Sequence, residues 1–399
     1  MMLGFLLARA GVEVVVLEKH ADFLRDFRGD TVHPSTLEVM HELGLLDDFL
    51  KRPHTEIAKF AGRINGVDAP IADLTHLPTH CKFIALMPQW DFLNFLAERA
   101  RAYPAFRLLM QAEVVDLLEE DGRITGVHVR TPEGELDVRA DLVIAADGRH
   151  STVRARAVMP VRDFGAPIDV LWMRLSKHPD DHPPTFGYFS AARLLVTLDR
   201  GDYWQCAYVI PKGGFDALRA QDLDVLRRGI VSLAPFLADR VGELRTWDDV
   251  KLLTVVVDRL TRWHRPGLLC IGDAAHAMSP MGGVGINLAI QDAVATANAL
   301  AAPLARGTVG ERDLDAVERR RTFPTRVTQA AQVFAADRIF GNAAGARPRP
   351  GWIPWPLRLL RRFPVLRRIP ARLLALGVRP EHVRTPDVLA RRAESTAVR

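Results

Sequence analysis

The sequence predicts an α/β fold: a domain built on a parallel sheet, a strand-rich layer inserted into it, and a helical tail at the C-terminus. Three observations lead to this prediction. An apolar helix over residues 1–10 is followed by a glycine turn and a β-branched strand over 12–17. Two more apolar strands, 142–146 and 268–271, each run into a turn of aspartate and glycine. Residues 168–210 hold further strand-like runs, which indicate a second sheet.

Size and composition are typical of a globular cytoplasmic protein. The chain has 399 residues, 48% of them hydrophobic and 25% charged. No stretch approaches the ~20 uncharged residues of a membrane-spanning helix. Cys81, Cys206 and Cys270 lie far apart without metal-site spacing, so no metal is predicted and a reducing cytoplasm is expected. No nucleic-acid-binding motif accompanies the net charge of +5, so nucleic acid is not an expected partner.

The N-terminal segment has the order of a dinucleotide-binding unit after its first strand. Helix, Gly11 turn, strand and Glu18 follow one another as in the second half of such a βαβ unit. A carboxylate at the tip of that strand can accept hydrogen bonds from an adenosine ribose; a solvated strand-end glutamate would have the same position. The glycine loop that binds the pyrophosphate would precede the helix, so we expect about fifteen residues, a strand ending in GxGxxG, upstream of Met1.

The remaining elements follow from periodicity and turn residues. A helix is predicted over 35–51 with Ser35 or Thr36 as its N-cap, then short strands over 57–86, an amphipathic helix over 90–102 and a β-meander over 106–146. After the strands of 168–210 come a helix over 216–234, strands over 251–257 and 267–272, and a long interrupted helical stretch over 286–339.

The strongest chemical signal follows the strand at 268–271. It consists of Gly272, Asp273 and His276, then Pro280, Gly282, Gly283, Gly285 and Asn287. An aspartate at a strand end can hold a polyol hydroxyl, and the glycines let backbone approach a planar ring closely. The N-terminus of the following helix offers a positive dipole to a ring edge that becomes anionic on reduction. The alternative is a tight packing joint between the strand, the turn and the helix, but such a joint would need only some of these residues.

This string, GDAAHAMSPMGGVGINLAIQDA, resembles the second FAD fingerprint of the aromatic-hydroxylase (p-hydroxybenzoate hydroxylase-like) family of flavoprotein monooxygenases. The stretch from Asp147 to Arg154, DGRHSTVR, is similar to the DGxxSxxR string of that family. The resemblance implies that Asp147, Gly148 and Arg154 lie between the flavin and nicotinamide sites. It also implies that Arg28 lies near the flavin and its diphosphate, and that Gln89 contacts the FAD ribitol and phosphates.

The resemblance implies a Rossmann-like FAD-binding domain of the glutathione-reductase type with an inserted mixed-sheet substrate layer. The FAD-binding domain would be discontinuous and would comprise residues 1–56, 81–158 and 262–345, without its first strand. The substrate-binding layer would comprise 57–80 and 159–261. Residues 346–399 would form a basic tail rich in proline and arginine.

The implied activity is hydroxylation of an aromatic or other electron-rich small molecule with NAD(P)H as co-substrate. Hydride would pass from NAD(P)H to FAD, and a flavin C4a-hydroperoxide would transfer one oxygen atom. Pro280, Gly282 and Gly283 would line the flavin face and shield it from water. No protein base is assigned, because His33, His76, His80, His178 and His182 are scattered. The alternatives are a halogenase-like or reductase-like enzyme of the same fold, and a non-catalytic truncated remnant.

The basic tail leaves two alternatives open. Between Asp337 and Glu381 the chain has arginines but no acidic residue, and residues 346–379 mix these arginines with Trp, Leu and Phe. Such a segment suits weak contact with an anionic membrane surface, in which case the substrate would be lipophilic. Its prolines break it into short pieces, which favours the alternative that it packs back over the substrate layer. The oligomeric state is left open.

Overall fold

The structure, a computed structural model, describes residues 1–24, 31–181, 187–190, 193–341 and 351–390. The helices are α1 Met2–Arg9, α2 Pro34–Glu42, α3 Leu46–Phe49, α4 Gln89–Ala100, α5 Thr152–Arg156, α6 Phe215–Arg219, α7 Leu223–Leu233, α8 Gly285–Ala305, α9 Glu311–Ala336, α10 Trp355–Arg362 and α11 Arg368–Leu376. Short 3₁₀ turns occur at Pro235–Leu237, Val241–Glu243, Trp247–Asp249, Gly272–Ala274, Met281–Gly283 and Pro364–Arg367. A π-helical turn, Asp337–Gly341, follows α9.

The strands are β1 Val14–Glu18, β2 Thr31–Val32, β3 Thr55–Ile57, β4 Lys59–Ile64, β5 Val67–Asp73, β6 Ile84–Leu86, β7 Phe106–Met110, β8 Glu113–Glu120, β9 Arg123–Thr131, β10 Gly134–Arg139, β11 Val143–Ala145, β12 Val161–Asp163, β13 Ile168–Ser176, β14 Gly187–Ser190, β15 Arg193–Asp199, β16 Tyr203–Pro211, β17 Lys251–Leu253, β18 Asp258–Leu260, β19 His264–Arg265 and β20 Leu268–Cys270. The predicted α/β class, with mixed sheets and a helical C-terminal region, is confirmed.

The first body of the fold consists of two pairs of parallel strands covered by helices. Strand β1 pairs in parallel with β7, and β11 pairs in parallel with β20. Helices α1, α4 and α8 pack together over these strands and share one hydrophobic core. Gly4 allows α1 to lie close to β1, since a Cβ there would be 2.5 Å from Cγ2 of Val16. Within the described residues the β1–β7 pair and the β11–β20 pair are not hydrogen-bonded to each other. The strand that we expect upstream of Met1 therefore stays a prediction.

The second body is a seven-stranded sheet in the order β17-β13-β16-β15-β14-β4-β5. Nearly every residue of strand β16 is buried, so both faces of the sheet are covered at this strand. Trp204, Cys206, Tyr208 and Ile210 share a core with α7 on one face. The alternate residues face the other way and line a large cavity, as the period of two of a strand requires.

Helix α2 corrects a detail of the sequence prediction. Its N-cap is His33 and Pro34 is its first residue, so neither Ser35 nor Thr36 caps it. Proline is favoured at this first position because its fixed φ suits a helix and its missing N–H would have no helical partner there. The Thr36 hydroxyl instead donates a hydrogen bond to Oδ1 of Asn287, 2.8 Å away.

The C-terminal region packs back on the body of the protein. Helices α10 and α11 contact β5, and α11 also contacts α2. Beyond α11, residues 379–388, called here the C-terminal strap, run along the helices of the first body. Arg9 donates to the Thr385 carbonyl at 2.7 Å, and Tyr103 donates to Asp387 at 3.1 Å. Residues of the C-terminal strap therefore hold helix α1 in place.

Among the described residues, one helical stretch, Met281–Ala305, is long and apolar enough to cross a membrane by length and composition. In the fold 61% of its most apolar window is buried. It contains α8, whose residues pack against α1 and α9. Its apolar character is therefore explained by its place in the core.

Candidate cofactor and substrate cavity

A single cavity of about 1960 Å³ extends between the two bodies of the fold. The sequence-predicted residues that line it are Glu18, Gln89, Asp147, Gly148, Gly272, Asp273, Pro280, Gly282, Gly283 and Gly285. Arg154 and Asn287 are not among its lining residues, and Arg28 lies outside the described residues. Ordinary small-molecule pockets measure roughly 300–1,000 Å³. The cavity is therefore large enough for a large cofactor and a second molecule beside it.

Three carboxylates enter the cavity from the ends of parallel strands. Glu18 ends β1, and its Oε1 accepts a hydrogen bond from the His20 backbone N–H at 3.0 Å. Asp147 follows β11 and accepts from the Val153 N–H at 3.2 Å. Asp273 follows β20, with the Arg149 guanidinium 3.5 Å from its Oδ2. Acceptor groups at the carboxyl ends of parallel strands suit the hydroxyls of a ribose or a polyol.

A buried charge network fixes the turn that carries Asp273. The Asp292 carboxylate accepts from the Gly272 N–H at 3.0 Å, from His276 at 2.5 Å and from Arg321 at 2.8 Å. Asp292 is fully buried. Burial on its own raises the pKa of Asp292, but the charges of His276 and Arg321 outweigh it and hold that pKa below its ordinary value. The turn is thus fixed by an ionised carboxylate beneath it.

The 280–283 loop forms another part of the cavity wall. Gly282 and Gly283 have φ values of 79° and 63°, in the left-handed region that favours glycine. A Cβ on Gly283 would lie 2.2 Å from the Thr31 hydroxyl oxygen, and that hydroxyl donates to the Gly283 carbonyl at 2.9 Å. The missing Cβ of Gly283 therefore lets the loop pack closely against Thr31, and the loop as a whole borders the cavity.

Asn287 holds this loop from behind. Its side-chain N–H groups donate to the carbonyls of Thr31 and Gly283, at 2.9 and 3.1 Å. Its Oδ1 accepts from the His33 N–H at 2.9 Å and from the Thr36 hydroxyl. The structure directs the Asn287 amide to the backbone of the loop and of β2, and contact of Asn287 with the cofactor stays a prediction. Asn287 therefore positions the loop.

The two arginines of the DGRHSTVR string have different surroundings. The Arg154 guanidinium lies 3.3 Å from Asp258 and donates to the Arg149 carbonyl at 2.8 Å. Arg149, by contrast, lines the cavity beside Asp273. Diphosphate binding by Arg154 stays a prediction, and Arg149 is the cation of this string that the fold brings to the cavity. Nothing in the spacing alone separated the two.

His33 was left unassigned in the sequence and lies at the cavity wall. Its Nδ1 is 2.8 Å from the carbonyl oxygen of Leu374 in α11. Burial lowers the pKa of His33 to about 4, despite that hydrogen bond and the nearby Gly282 carbonyl. The ring is therefore neutral at neutral pH, and its Nδ1–H donates to the carbonyl of Leu374 in α11.

The wall opposite the 280–283 loop is largely apolar and comes from the seven-stranded sheet. Lining residues on this side include Val170, Trp172, Val196, Leu198, Ala207 and Val209. Gln205 stands among them, with its Oε1 accepting from Arg200 Nε at 2.9 Å. Because an arginine only donates, this contact fixes the amide orientation. The Gln205 Nε2 is then a buried donor without a partner in the described part of the protein.

The residues present fit a flavin dinucleotide on the side of the parallel strands. Carboxylates at three strand ends can accept hydrogen bonds from hydroxyl groups, and the 280–283 loop borders a space wide enough for a planar ring. The first residues of α8, Gly285 and Ile286, also line the cavity, so the positive end of this helix points at it. The sheet side offers room for an apolar ring system.

Comparison with known proteins gives a consistent result. A family model described as "FAD binding domain" matches residues 1–331. The chain is 34% identical over 354 residues to 6-methylpretetramide 4-monooxygenase of Streptomyces rimosus, covering 87% of this chain and 84% of that protein. It is 28% identical over 335 residues to para-nitrophenol 4-monooxygenase of a Pseudomonas species, covering 79% of each.

Solved structures agree on the fold. PqsL of Pseudomonas aeruginosa, described as a probable FAD-dependent monooxygenase, superposes with a TM-score of 0.72 at 22% identity, covering 86% of this chain and 96% of that one. The p-nitrophenol 4-monooxygenase PnpA of Pseudomonas putida gives a TM-score of 0.68 at 24% identity and 87% coverage of each chain. The predicted Rossmann-like FAD-binding fold is confirmed.

Proposed function

The chain belongs to the FAD-binding-domain family of flavin-dependent aromatic monooxygenases, and from this we propose that it hydroxylates an aromatic small molecule with NAD(P)H and O₂. The observation that carries the proposal is the shared cavity. One wall is built from the strand-end carboxylates and the glycine loop, and the opposite wall is the apolar face of a sheet. A cofactor and an aromatic ring would meet in this space.

Bound FAD would supply the redox chemistry, passing electrons from NAD(P)H to O₂ by the C4a-hydroperoxide route that the sequence resemblance implies. Glu18, Asp147 and Asp273 would hold its hydroxyl groups, and the 280–283 loop would lie against its ring. Asn287 and Thr31 would keep that loop in place. Such pre-set backbone excludes water from the reacting face without side-chain rearrangement.

On the substrate side, we propose that the Gln205 side chain, whose Nε2 is buried in this structure, rotates when substrate binds and donates a hydrogen bond from Nε2 to an oxygen of the substrate. A buried donor without a partner costs roughly 1–3 kcal/mol. A phenolic or carbonyl oxygen of an aromatic substrate would remove that cost. The apolar neighbours of Gln205 would hold the ring system, and no protein nucleophile or metal is required.

The remaining sequence predictions belong to the same proposal. We place residues 1–56, 81–158 and 262–345 in the FAD-binding domain, and 57–80 and 159–261 in the substrate layer. We place the enzyme in the cytoplasm, where NAD(P)H is available; its cysteines Cys81, Cys206 and Cys270 are free and buried. The halogenase-like and reductase-like alternatives gain no observation of their own, since the relatives named above are monooxygenases.

The first test is flavin binding followed by turnover. The purified chain is mixed with FAD, freed of excess cofactor, and examined by visible absorption beside a version extended at its N-terminus by a strand ending in GxGxxG. NADPH and NADH oxidation is then followed with 6-methylpretetramide and para-nitrophenol as probes. We expect a protein-bound flavin spectrum and NAD(P)H oxidation that increases when an aromatic probe is added.

The outcomes separate the alternatives. If only the extended version binds flavin, the enzyme assignment holds and the glycine loop is required for affinity. If neither version retains FAD, the proposal fails and a non-catalytic remnant becomes the better account. Bound flavin that NAD(P)H does not reduce, with or without a probe, would exclude the proposed co-substrate.

A further inference from the structure

The outer side of the C-terminal region carries an exposed apolar and basic surface, called here the tail face. Its apolar members are Trp352, Trp355, Leu359, Phe363, Val365, Ile369 and Leu373, each at least 40% exposed. Its basic members are the exposed arginines Arg358, Arg361, Arg362, Arg368 and Arg372. Large apolar side chains in such density are unusual on a protein surface and mark an interaction site.

The elements of the tail face are oriented alike by their packing. Helix α10, the turn Pro364–Arg367 and helix α11 all contact the same strand, β5. In α11 the inner side is formed by Ala371 and Ala375, which are fully buried. Ile369 and Leu373 lie on its opposite side, 61% and 57% exposed. The outward sides of the three elements therefore form one surface.

The charge of the tail face selects its partner. The sequence has no acidic residue between Asp337 and Glu381, and within the described part of the chain none of the five arginines forms an ion pair. The positive charge of the tail face therefore favours an anionic partner, and its exposed Trp, Phe, Ile and Leu favour a partner with an apolar phase. Arginines beside exposed tryptophan and aliphatic side chains are the composition of segments that lie in a membrane interface.

We propose that the tail face docks on a lipid bilayer that contains anionic headgroups. The arginines would contact the headgroups, and Trp355, Ile369 and Leu373 would enter the boundary between headgroups and acyl chains. Pro370, Leu373 and Leu374 also line the cavity, so docking would bring the cavity to the membrane surface. Where the proposed hydroxylation holds, lipophilic ring systems dissolved in the bilayer are the substrate class that this position favours.

The test is co-sedimentation of the FAD-treated full chain with phosphatidylcholine vesicles and with vesicles rich in phosphatidylglycerol. We expect binding to the anionic vesicles, weakened by salt, and little binding to the neutral ones. The variant Arg361→Glu/Arg368→Glu/Arg372→Glu should bind at least about 100-fold more weakly, since each basic residue contributes about 1 kcal/mol near such a surface. The variant Trp355→Ser/Ile369→Ser should also bind the vesicles more weakly, because it removes side chains that would enter the boundary between headgroups and acyl chains. The binding that remains should depend less on the apolar part of the bilayer.

The matched control is Arg219→Glu/Arg228→Glu/Arg312→Glu, which changes the net charge equally at exposed arginines outside the tail face. It should retain most of the vesicle binding. Equal loss in both triple variants, or equal binding to neutral and anionic vesicles, would overturn the proposal. Self-association on size-exclusion chromatography that Trp355→Ser/Ile369→Ser abolishes would also overturn it, because a second copy would then cover the surface. None of these readouts depends on turnover, so failure here is distinct from failure of the proposed reaction.

Discussion

The amide of Asn287 makes four hydrogen bonds within the protein, and none of its donors remains for a ligand. Side-chain type and position in the GDAAH string pointed to cofactor contact, but the same spacing also suits an internal clamp. The position of β2, far away in the sequence, makes Asn287 a clamp on the loop, and its contact with the cofactor stays a prediction. At the residue scale, then, the string predicts where the cavity lies better than it predicts which atoms face it.

Gly283 is the residue at which added bulk should be most harmful. The variant Gly283→Ala places a Cβ 2.2 Å from Oγ1 of Thr31 and also strains a positive φ. We expect at least a tenfold loss of FAD affinity, measured by fluorescence titration, together with a lower unfolding midpoint in urea.

Gly307→Ala is the control for Gly283→Ala, because its φ is also positive and nothing lies within 4 Å of its Cβ position. It should cost stability only by the backbone effect, roughly 1–2 kcal/mol, and leave FAD affinity unchanged. Wild-type FAD affinity in Gly283→Ala would show that the 280–283 loop does not touch the cofactor.

Gln205 tests the substrate side separately. In Gln205→Leu the buried amide donor is lost, so KM for an oxygen-bearing aromatic probe should rise roughly 10–100-fold, the equivalent of ~1–3 kcal/mol. FAD affinity and the slow NAD(P)H oxidation without substrate should not change. Steady-state kinetics of Gln205→Leu beside Gln221→Leu, a surface control, measures this; an unchanged KM would remove Gln205 from the substrate contacts.

At the scale of elements, helix α8 joins the cavity to the rest of the fold. Its first turn borders the cavity, and Asp292 in its middle holds the Gly272 turn and Arg321 of α9. Arg321 in turn reaches Glu381 of the C-terminal strap at 3.3 Å. Helix α8, helix α9 and the C-terminal strap are thus connected through one buried chain of charges.

Removing one charge of this chain should be costly. In Asp292→Asn the guanidinium of Arg321 and the ring of His276 lose their ionised partner in a dry site. We expect about 3–5 kcal/mol of lost stability, measured by urea unfolding, and weaker retention of FAD. Asp48→Asn, at an exposed pair with Lys51, should have a much smaller effect. Similar losses in the two variants would mean that the network does not support the fold.

The elements themselves were largely predictable, and the contacts between them were not. Apolar runs and turn residues located β1, β11, β20 and the helices α1, α4 and α8, because local periodicity reports which face is buried. The N-cap of α2 was wrong, since a proline at the first helical position decided the start and not a nearby hydroxyl. Arg321 and Glu381 carry no local signal, because they are 60 positions apart and meet only in the folded chain.

For the whole molecule, the sequence predicted two bodies and a tail, and the tail shows the limit of composition as a guide. Its arginines and prolines left open whether it packs on the protein or on a membrane. The structure packs its inner side on β5 and α2 and leaves its outer side exposed. Composition could not separate these sides, since the two helices are short and several prolines interrupt their periodicity.

The C-terminal strap has a consequence for biosynthesis. Arg9 in the first helix is bonded to Thr385, 376 positions later, so this contact cannot form until those intervening residues have been synthesised. At ~5–20 residues per second, helix α1 would wait for some tens of seconds with its apolar side chains incompletely held. During that interval the guanidinium of Arg9 has no partner from the strap.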